Sequence, residues 1–159
     1  MKRLVNLLAL LVVTVFVSGA LMAQTKLFEG TWKLNLAKSK YEGVQAPKSL
    51  TRTVTAEGGG LKYSFEGEAA DGSKISYSFT SKLDGSDSAV SGVGTPGGAD
   101  TVALERVSNH KMSGVLKQGR AKIGSVSTAL GPDNKTVIVD TKARVDGKEV
   151  KTHQVYDKQ

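Results

Sequence analysis

The chain of 159 residues contains no cysteine. This absence excludes disulfides, thiolate metal sites and a lipid anchor attached to a cysteine after an export signal. The two histidines, His110 and His153, lack further partners at the spacing that zinc sites use, so we predict no metal site. A domain without disulfides depends on its own hydrophobic core, and this chain is long enough to build one.

Sequence motifs of catalysis and cofactor binding are also missing. No Gly-x-Ser-x-Gly motif marks a nucleophile, and no acid–base pair stands out. The glycine-rich stretches at 58–60 and 97–98 precede predicted strands. A phosphate-binding loop precedes a helix instead, so we interpret both stretches as turns. We therefore predict that the protein is not an enzyme and has no catalytic residue and no cofactor.

Acidic residues are fewer than basic ones, which gives a formal net charge of +7. A basic surface can bind nucleic acids non-specifically. Here, however, the charges are spread along the chain without a long run of one sign. Such a distribution is typical of lysines on the solvent-facing sides of strands, where they also hinder edge-to-edge pairing. Together with the predicted export, it leads us to predict no nucleic-acid partner.

Long hydrophobic runs are limited to one, at residues 4–17, and two basic residues precede it. Small residues follow it, which completes the pattern of a secretory signal peptide. We predict a signal peptide at 1–23, with cleavage after Ala20 or Ala23 left open, and a barrel domain at 24–159. Because the run is shorter than the roughly 20 residues of a membrane helix, we expect no membrane span after cleavage. The predicted location is periplasmic or secreted.

After this run, apolar residues recur at every second position between glycine-rich and Asp-Gly turns, a pattern that indicates β-hairpins. Ten strands are expected, and no helical repeat of useful length follows the signal. The spacing predicts an all-β fold, a single antiparallel up-and-down β-barrel of about 8–10 strands. The predicted strands cover residues 28–36, 49–56, 61–66, 75–80, 83–92, 101–107, 111–117, 121–130, 136–145 and 148–157.

Both ends of the barrel domain resemble a known group of barrels. Phe28-Glu29-Gly30-Thr31-Trp32-Lys33-Leu34 and the closing Tyr156-Asp157-Lys158 are similar to the first and last strands of the calycins. This group comprises the lipocalins and the fatty-acid-binding proteins, and the sequence also looks like small exported bacterial proteins described as lipocalin-like. The resemblance implies a barrel that binds a small hydrophobic or amphipathic ligand.

Two features of the fatty-acid-binding proteins are missing. Residues 37–47 are too few for the two lid helices that follow strand one in that family. Gln154 stands where those proteins anchor the ligand carboxylate with an arginine, and residues 127–129 supply no second arginine. The resemblance therefore extends to the barrel and does not extend to fatty-acid specificity.

Candidate ligand-binding residues follow from the shared facing of neighbouring strands. Four aromatic residues can form either a cavity wall or a filled core, and both alternatives stay open. Arg52, Arg106, Gln154 and Tyr156 share faces with apolar neighbours; for the arginines we favour positions near strand ends that reach water. Trp32 is expected to plug one barrel end and to donate its indole N–H to the backbone. The predicted ligand-binding residues are Tyr63, Phe65, Tyr77, Phe79, Arg106, Gln154 and Tyr156.

Two functions remain after these exclusions. The first is an exported, monomeric, non-enzymatic lipocalin-like barrel that binds a small hydrophobic or amphipathic molecule through apolar contact. The alternative is a structural or interaction protein of the cell envelope, with a filled barrel core and no small ligand. The absence of both carboxylate-anchoring arginines favours the alternative, and the aromatic residues on two adjacent strands favour the first.

Overall fold

A computed structural model of the protein describes residues 26–159, which form antiparallel strands with two short 3-10 turns. The signal peptide predicted at 1–23 lies outside the described residues. No helix within 26–159 has the length and apolar character needed to cross a membrane. The strands are β1 (Gly30–Leu34), β2 (Lys40–Glu42), β3 (Ser49–Glu57), β4 (Gly60–Glu68), β5 (Lys74–Ser81), β6 (Asp84–Ala89), β7 (Ser91–Val93), β8 (Thr101–Ser108), β9 (Lys111–Gln118), β10 (Ala121–Leu130), β11 (Thr136–Val145) and β12 (Lys148–Lys158).

The first and last strands pair with each other, as a barrel requires. Leu34 of β1 lies opposite Tyr156 of β12, and Trp32 lies opposite Lys158. On its other side β1 pairs with β3, and the hairpins β3–β4–β5 and β8–β9–β10–β11–β12 complete the sheet order. The predicted all-β antiparallel barrel is therefore confirmed. Its interior is lined by alternate residues of each strand, because successive side chains point to opposite faces.

A single stretch of chain nearly closes the remaining gap in the barrel. β6 pairs with β8 on one side, whereas β7, which follows β6 after Val90, pairs with β5 on the other. Only three residue pairs join β7 to β5, among them Tyr77 opposite Gly92. β6 and β7 are the two ends of the sheet, and they follow one another in the sequence. The short contact between β7 and β5 therefore joins the half of the barrel that contains β3–β5 to the half that contains β8–β12.

Residues 26–159 form twelve strands rather than the predicted ten. One difference is the stretch predicted as a single strand at 83–92, which divides at Val90 into β6 and β7. The other is β2, which lies within the segment 37–47 predicted as a connection. Because β1 covers only the last residues of β12, backbone groups earlier in β12 stay free for β2. A 3-10 turn at Leu36–Lys38 joins the two short strands.

One end of the barrel is solidly packed around Trp32. This side chain is fully buried, and its Nε1 donates a hydrogen bond to the Phe28 carbonyl oxygen over 3.0 Å. The predicted end plug is therefore confirmed. Other side chains of this packed end are almost completely buried, and those with the least exposure are Val54, Leu61, Met112 and Val137. The opposite end of the barrel carries the cavities.

Candidate functional site

Four aromatic side chains on β4 and β5 form a continuous inner surface, which we call the aromatic wall (Tyr63, Phe65, Tyr77 and Phe79). The register places Tyr63 opposite Phe79 and Phe65 opposite Tyr77. The Tyr63 and Phe79 rings stack with centroids 4.8 Å apart, and those of Phe65 and Tyr77 with centroids 4.5 Å apart. Offset stacks of this kind fix the ring orientation. The wall is therefore ordered before any ligand arrives.

Arg52 lies beside this wall at the middle of β3. Only 3% of its surface is exposed, and its guanidinium carbon is 5.1 Å from the centre of the Tyr63 ring. The sequence interpretation of an arginine near a strand end that reaches water is therefore wrong for this residue. Strand alternation turns Arg52 inward together with Leu50 and Val54, and a mid-strand position leaves its side chain no route to the surface.

A hydrogen-bonded chain of three side chains runs from the interior toward the open end. The Tyr156 hydroxyl donates to Oε1 of Gln154 over 3.1 Å, and Nε2 of Gln154 donates to the Tyr41 hydroxyl over 3.3 Å. Gln154 therefore links a fully buried tyrosine to one that lies at the open end. The amide occupies the position where the resemblance implied an arginine, and both its oxygen and its nitrogen have partners.

An inner cavity of about 70 Å³ lies between the aromatic wall and the strands opposite. That volume exceeds the roughly 30 Å³ that one water occupies in the liquid. The lining combines the aromatic wall with polar side chains such as Arg52 and Gln154. A ligand in this cavity would therefore contact both apolar rings and hydrogen-bonding groups. The lining residues are Arg52, Tyr63, Phe65, Tyr77, Phe79, Pro96, Val102, Leu104, Leu116, Val126, Thr128, Val139, Thr141, Gln154 and Tyr156.

A larger space of about 360 Å³ forms the mouth of the barrel. Four segments surround it: the β2–β3 connection, the β4–β5 turn, the loop after β7, and the β11–β12 hairpin. Four residues line both the mouth and the inner cavity, so the two spaces adjoin. The shared residues are Tyr77, Pro96, Thr141 and Gln154.

Six of the seven predicted ligand-binding residues line the inner cavity. They are the aromatic wall together with Gln154 and Tyr156. Arg106, the seventh, lies opposite Met112 in the register, at the packed end of the barrel, and is outside the cavity lining of the described chain. Its positive charge still acts on the Tyr63 hydroxyl, whose pKa it lowers against the larger effect of burial. The role of all seven in binding stays a prediction.

The sequence interpretation missed several lining residues. Thr141 and Val139 alternate inward on β11, and the same period-two pattern that marked β4 and β5 would have found them. Pro96 had no such signal, because it sits in a glycine-rich loop whose path depends on the rest of the barrel. Tyr41 was assigned to a plain connection, and only the pairing of β2 with β12 brings it to the mouth.

Two other places on the described chain have some features of a site. A shallow concavity of about 690 Å³ lies on the outer face of β8–β11, and its lining includes Glu105, Ser113 and Lys142. Its charged lining residues are exposed to solvent, and its lining within the described chain has no buried polar group to orient a ligand. His153 pairs with Asp140 over 2.7 Å on the same outer surface, and no group of metal-ligating side chains occurs within residues 26–159. The interior is therefore the candidate site.

Burial of the tyrosines gives the site a testable alkaline response. Loss of hydration raises the pKa of Tyr63, Tyr77 and Tyr156 above the ordinary 10.0, and the nearby Arg52 guanidinium lowers each only in part. Because the folded state holds these protons more tightly than the unfolded chain, their stabilising effect is complete below pH 10.0 and is lost above it.

We expect the barrel to unfold cooperatively in alkali, with most tyrosinate absorbance rising together with the loss of β-sheet circular dichroism. Stepwise titration with both signals recorded on one sample is the measurement. The least buried tyrosine, Tyr41, has a raised pKa as well, because of its partial burial. Ionisation of all four tyrosines near pH 10.0 with the sheet intact would contradict the burial described above.

The fold and the site together define a calycin-like barrel, with paired first and last strands, a tryptophan plug at one end and an open mouth at the other. No protein-family model and no curated protein sequence matches the chain. Among solved structures, it is similar to zebrafish ileal bile acid-binding protein complexed with cholic acid. That match has a TM-score of 0.51 and 12% identity over 84% of this chain and 99% of the other.

A second solved structure, that of the siderocalin Ex-FABP, matches with a TM-score of 0.38 and 12% identity, over 84% of this chain and 74% of the other. At these identities the likeness concerns the fold alone. The first of the two shows the same barrel fold, which agrees with the barrel that the terminal strands predict. What this chain binds is therefore argued from its own cavity.

Proposed function

We propose that this protein is an exported, monomeric, non-enzymatic barrel that binds a small hydrophobic or amphipathic molecule. The observation that carries the proposal is the adjacency of the inner cavity and the mouth, which share four lining residues. A mouth of about 360 Å³ falls within the range of small-molecule pockets. The bound molecule would place its apolar part in the mouth and reach the aromatic wall with its inner end.

The composition of the mouth supports an apolar ligand. Ten of its twenty lining residues are Val, Leu, Ile, Ala or Pro, and none is charged. Burial of such apolar surface contributes roughly 25 cal/mol per Å². The zebrafish protein that shares the fold is described as complexed with cholic acid, a molecule with both apolar and polar faces. Trp32 is fully buried and lines neither the mouth nor the inner cavity, so we place binding in the other half of the barrel.

Filling the mouth with one large side chain tests the proposal. Val145 lines the mouth, whereas its neighbour Arg144 is exposed on the outer face of the same strand. We expect Val145→Trp to weaken binding of a neutral polarity-sensitive dye such as Nile red at least about tenfold, a loss of roughly 1.4 kcal/mol. Arg144→Trp is the matched control and should bind the dye like the wild type.

Two results would contradict the proposal. One is a wild-type barrel that binds neither Nile red nor any of a panel of neutral lipids and aromatic compounds. The other is equal loss of dye binding in both tryptophan variants. Either result would favour the alternative of an envelope interaction protein, for which the packed end of the barrel is the supporting observation.

A further inference from the structure

Arg52 is a buried cation without an acidic partner. The ion pairs found among residues 26–159 join lysines or His153 to solvent-exposed carboxylates, and none includes Arg52. Its Nε is buried and has no hydrogen-bond partner. A buried, uncompensated charge is strongly unfavourable in a protein interior.

The groups around Arg52 offset only part of this cost. The Tyr63 ring faces the guanidinium at 5.1 Å, which gives a cation–π contact. A side-chain hydrogen bond also joins Arg52 to Tyr63, whereas the Nε of Arg52 has no partner. Gln154 already bonds to Tyr156 and Tyr41, so its amide is engaged elsewhere. The positive charge extends across the cavity, since it favours the ionised forms of three surrounding tyrosines. The inner cavity is therefore electropositive, and its lining within residues 26–159 includes no carboxylate.

The cavity next to Arg52 is small and the space beyond it is apolar. About 70 Å³ accommodates a head group of carboxylate size, and the adjoining mouth accommodates the rest of the molecule. A guanidinium presents parallel N–H donors that match the two oxygens of a carboxylate. Size and donor geometry thus favour one orientation, with the charged head inward and the apolar body toward the mouth.

We infer that the ligand carries a carboxylate or a similarly small anionic head group, which enters the inner cavity and binds the Arg52 guanidinium. The inference rests on the proposed function and names the ligand class of the same cavity. The inferred anion site also lies on a different strand from the one that the resemblance implied. The resemblance to fatty-acid-binding proteins implied an anchor on the last strand, where Gln154 stands, whereas the cation of this chain lies on β3.

Decanoate and 1-decanol, which share a chain length and differ in charge, test the inference. We expect calorimetry at neutral pH to show that the wild type binds decanoate at least about tenfold more tightly than decanol, by roughly 1.4 kcal/mol. Arg52→Met should remove this preference, so that decanoate and decanol bind the variant with similar affinity. Arg52→Lys keeps the positive charge without the paired N–H donors. Its affinity for decanoate should therefore lie between that of the wild type and that of Arg52→Met.

A spectroscopic measurement on the wild type makes the test independent of variant folding. The Nε–Hε resonance of Arg52 should shift when decanoate is added and stay in place when decanol is added. Thermal unfolding of ligand-free Arg52→Met checks its fold, and we expect a midpoint equal to or above that of the wild type, because an unpaired buried charge has been removed.

The outcomes separate this inference from the proposed function. If the wild type binds both ligands equally, or if Arg52→Met keeps the preference for decanoate, Arg52 is not the anion site and the barrel is still a binding protein. An Arg52 resonance that stays unchanged while decanoate binds would overturn the inference in the same way. If neither decanoate nor decanol binds the wild type while Nile red does, the inference is wrong and the binding function stands. If Nile red fails to bind as well, both are wrong.

Discussion

Replacing Trp32 with alanine should lower the free energy of unfolding by about 3–5 kcal/mol, the usual cost of deleting a buried aromatic side chain. Trp32 is fully buried, and it is stacked under the Lys158 ammonium, which lies 5.0 Å from the ring centre. Alanine would leave a cavity at the packed end of the barrel and would free the Phe28 carbonyl oxygen, which now accepts the indole N–H. Urea unfolding followed by circular dichroism is the measurement.

Two control variants separate the parts of this effect. Trp32→Phe keeps an aromatic ring and loses the N–H bond, so a smaller loss of about 1–2 kcal/mol is expected. Lys33→Ala changes the next residue, which is exposed on the outer face, and should change stability by no more than about 0.5 kcal/mol. If Trp32→Ala unfolds within about 1 kcal/mol of the wild type, the plug does not stabilise the barrel in the way we argue.

Trp32 also separates the packed end from the binding end. It lies outside the residues that line the inner cavity or the mouth. At a temperature where Trp32→Ala remains folded, we therefore expect its affinity for a neutral dye to match that of the wild type. The same residue that identified the fold from sequence thus has a structural role, and the binding chemistry comes from other strands.

The interior faces of β3, β4 and β5 could be predicted from sequence because alternation is a local property. Once Tyr63 and Phe65 point inward, their partners on β5 follow from the hairpin register, and the structure places all four rings in one wall. The pairing of β1 with β12 followed from likeness to a known group, because two strands more than a hundred residues apart leave no local signal of their contact.

Arg52 shows why burial could not be predicted from the strand pattern alone. Alternation places it on the inward face, but a residue type that is rarely buried argues for a position near the end of its strand. Whether an inward arginine reaches water depends on the height of its residue along the barrel. That height is set by the stagger between strands, which a single strand sequence does not contain.

The division of the stretch at 83–92 into two strands was equally hidden. Polar and glycine residues occupy successive positions there, at Asp84, Gly85, Ser86 and Asp87. Without alternating apolar residues, the sequence does not indicate which side of the strand faces the core. The division follows from closure of the barrel, since the chain must leave β8 and reach β5 within a few residues. Gly92, two residues after the break at Val90, allows β7 to approach β5 closely.

Gly92 lies where β7 meets β5, and replacing it with alanine should lower the free energy of unfolding by about 3 kcal/mol or more, because overpacking and backbone strain combine there. Its φ angle is +118°, a conformation that residues with a side chain rarely adopt. A methyl group at this position would overlap the Ser76 carbonyl oxygen and lie 2.6 Å from the Cα of Tyr77. Both contacts are with backbone, which cannot rotate away.

The effect should reach the binding site as well as the fold. Tyr77 is the direct partner of Gly92 and lines both the inner cavity and the mouth. Pushing β7 away from β5 would open the narrow contact that joins the two halves of the barrel. We therefore expect Gly92→Ala to lose affinity for Nile red together with stability, unlike Trp32→Ala, which should lose stability alone.

Gly59→Ala is the matched control for Gly92→Ala. Gly59 also has a positive φ angle, +79°, but it lies in the β3–β4 turn and no other atom lies within 4 Å of an added methyl group. Backbone strain alone should lower stability there by about 1 kcal/mol and leave dye binding unchanged. Equal losses of stability in the two variants would mean that φ strain explains both, and that the contact between β7 and β5 does not hold the barrel closed.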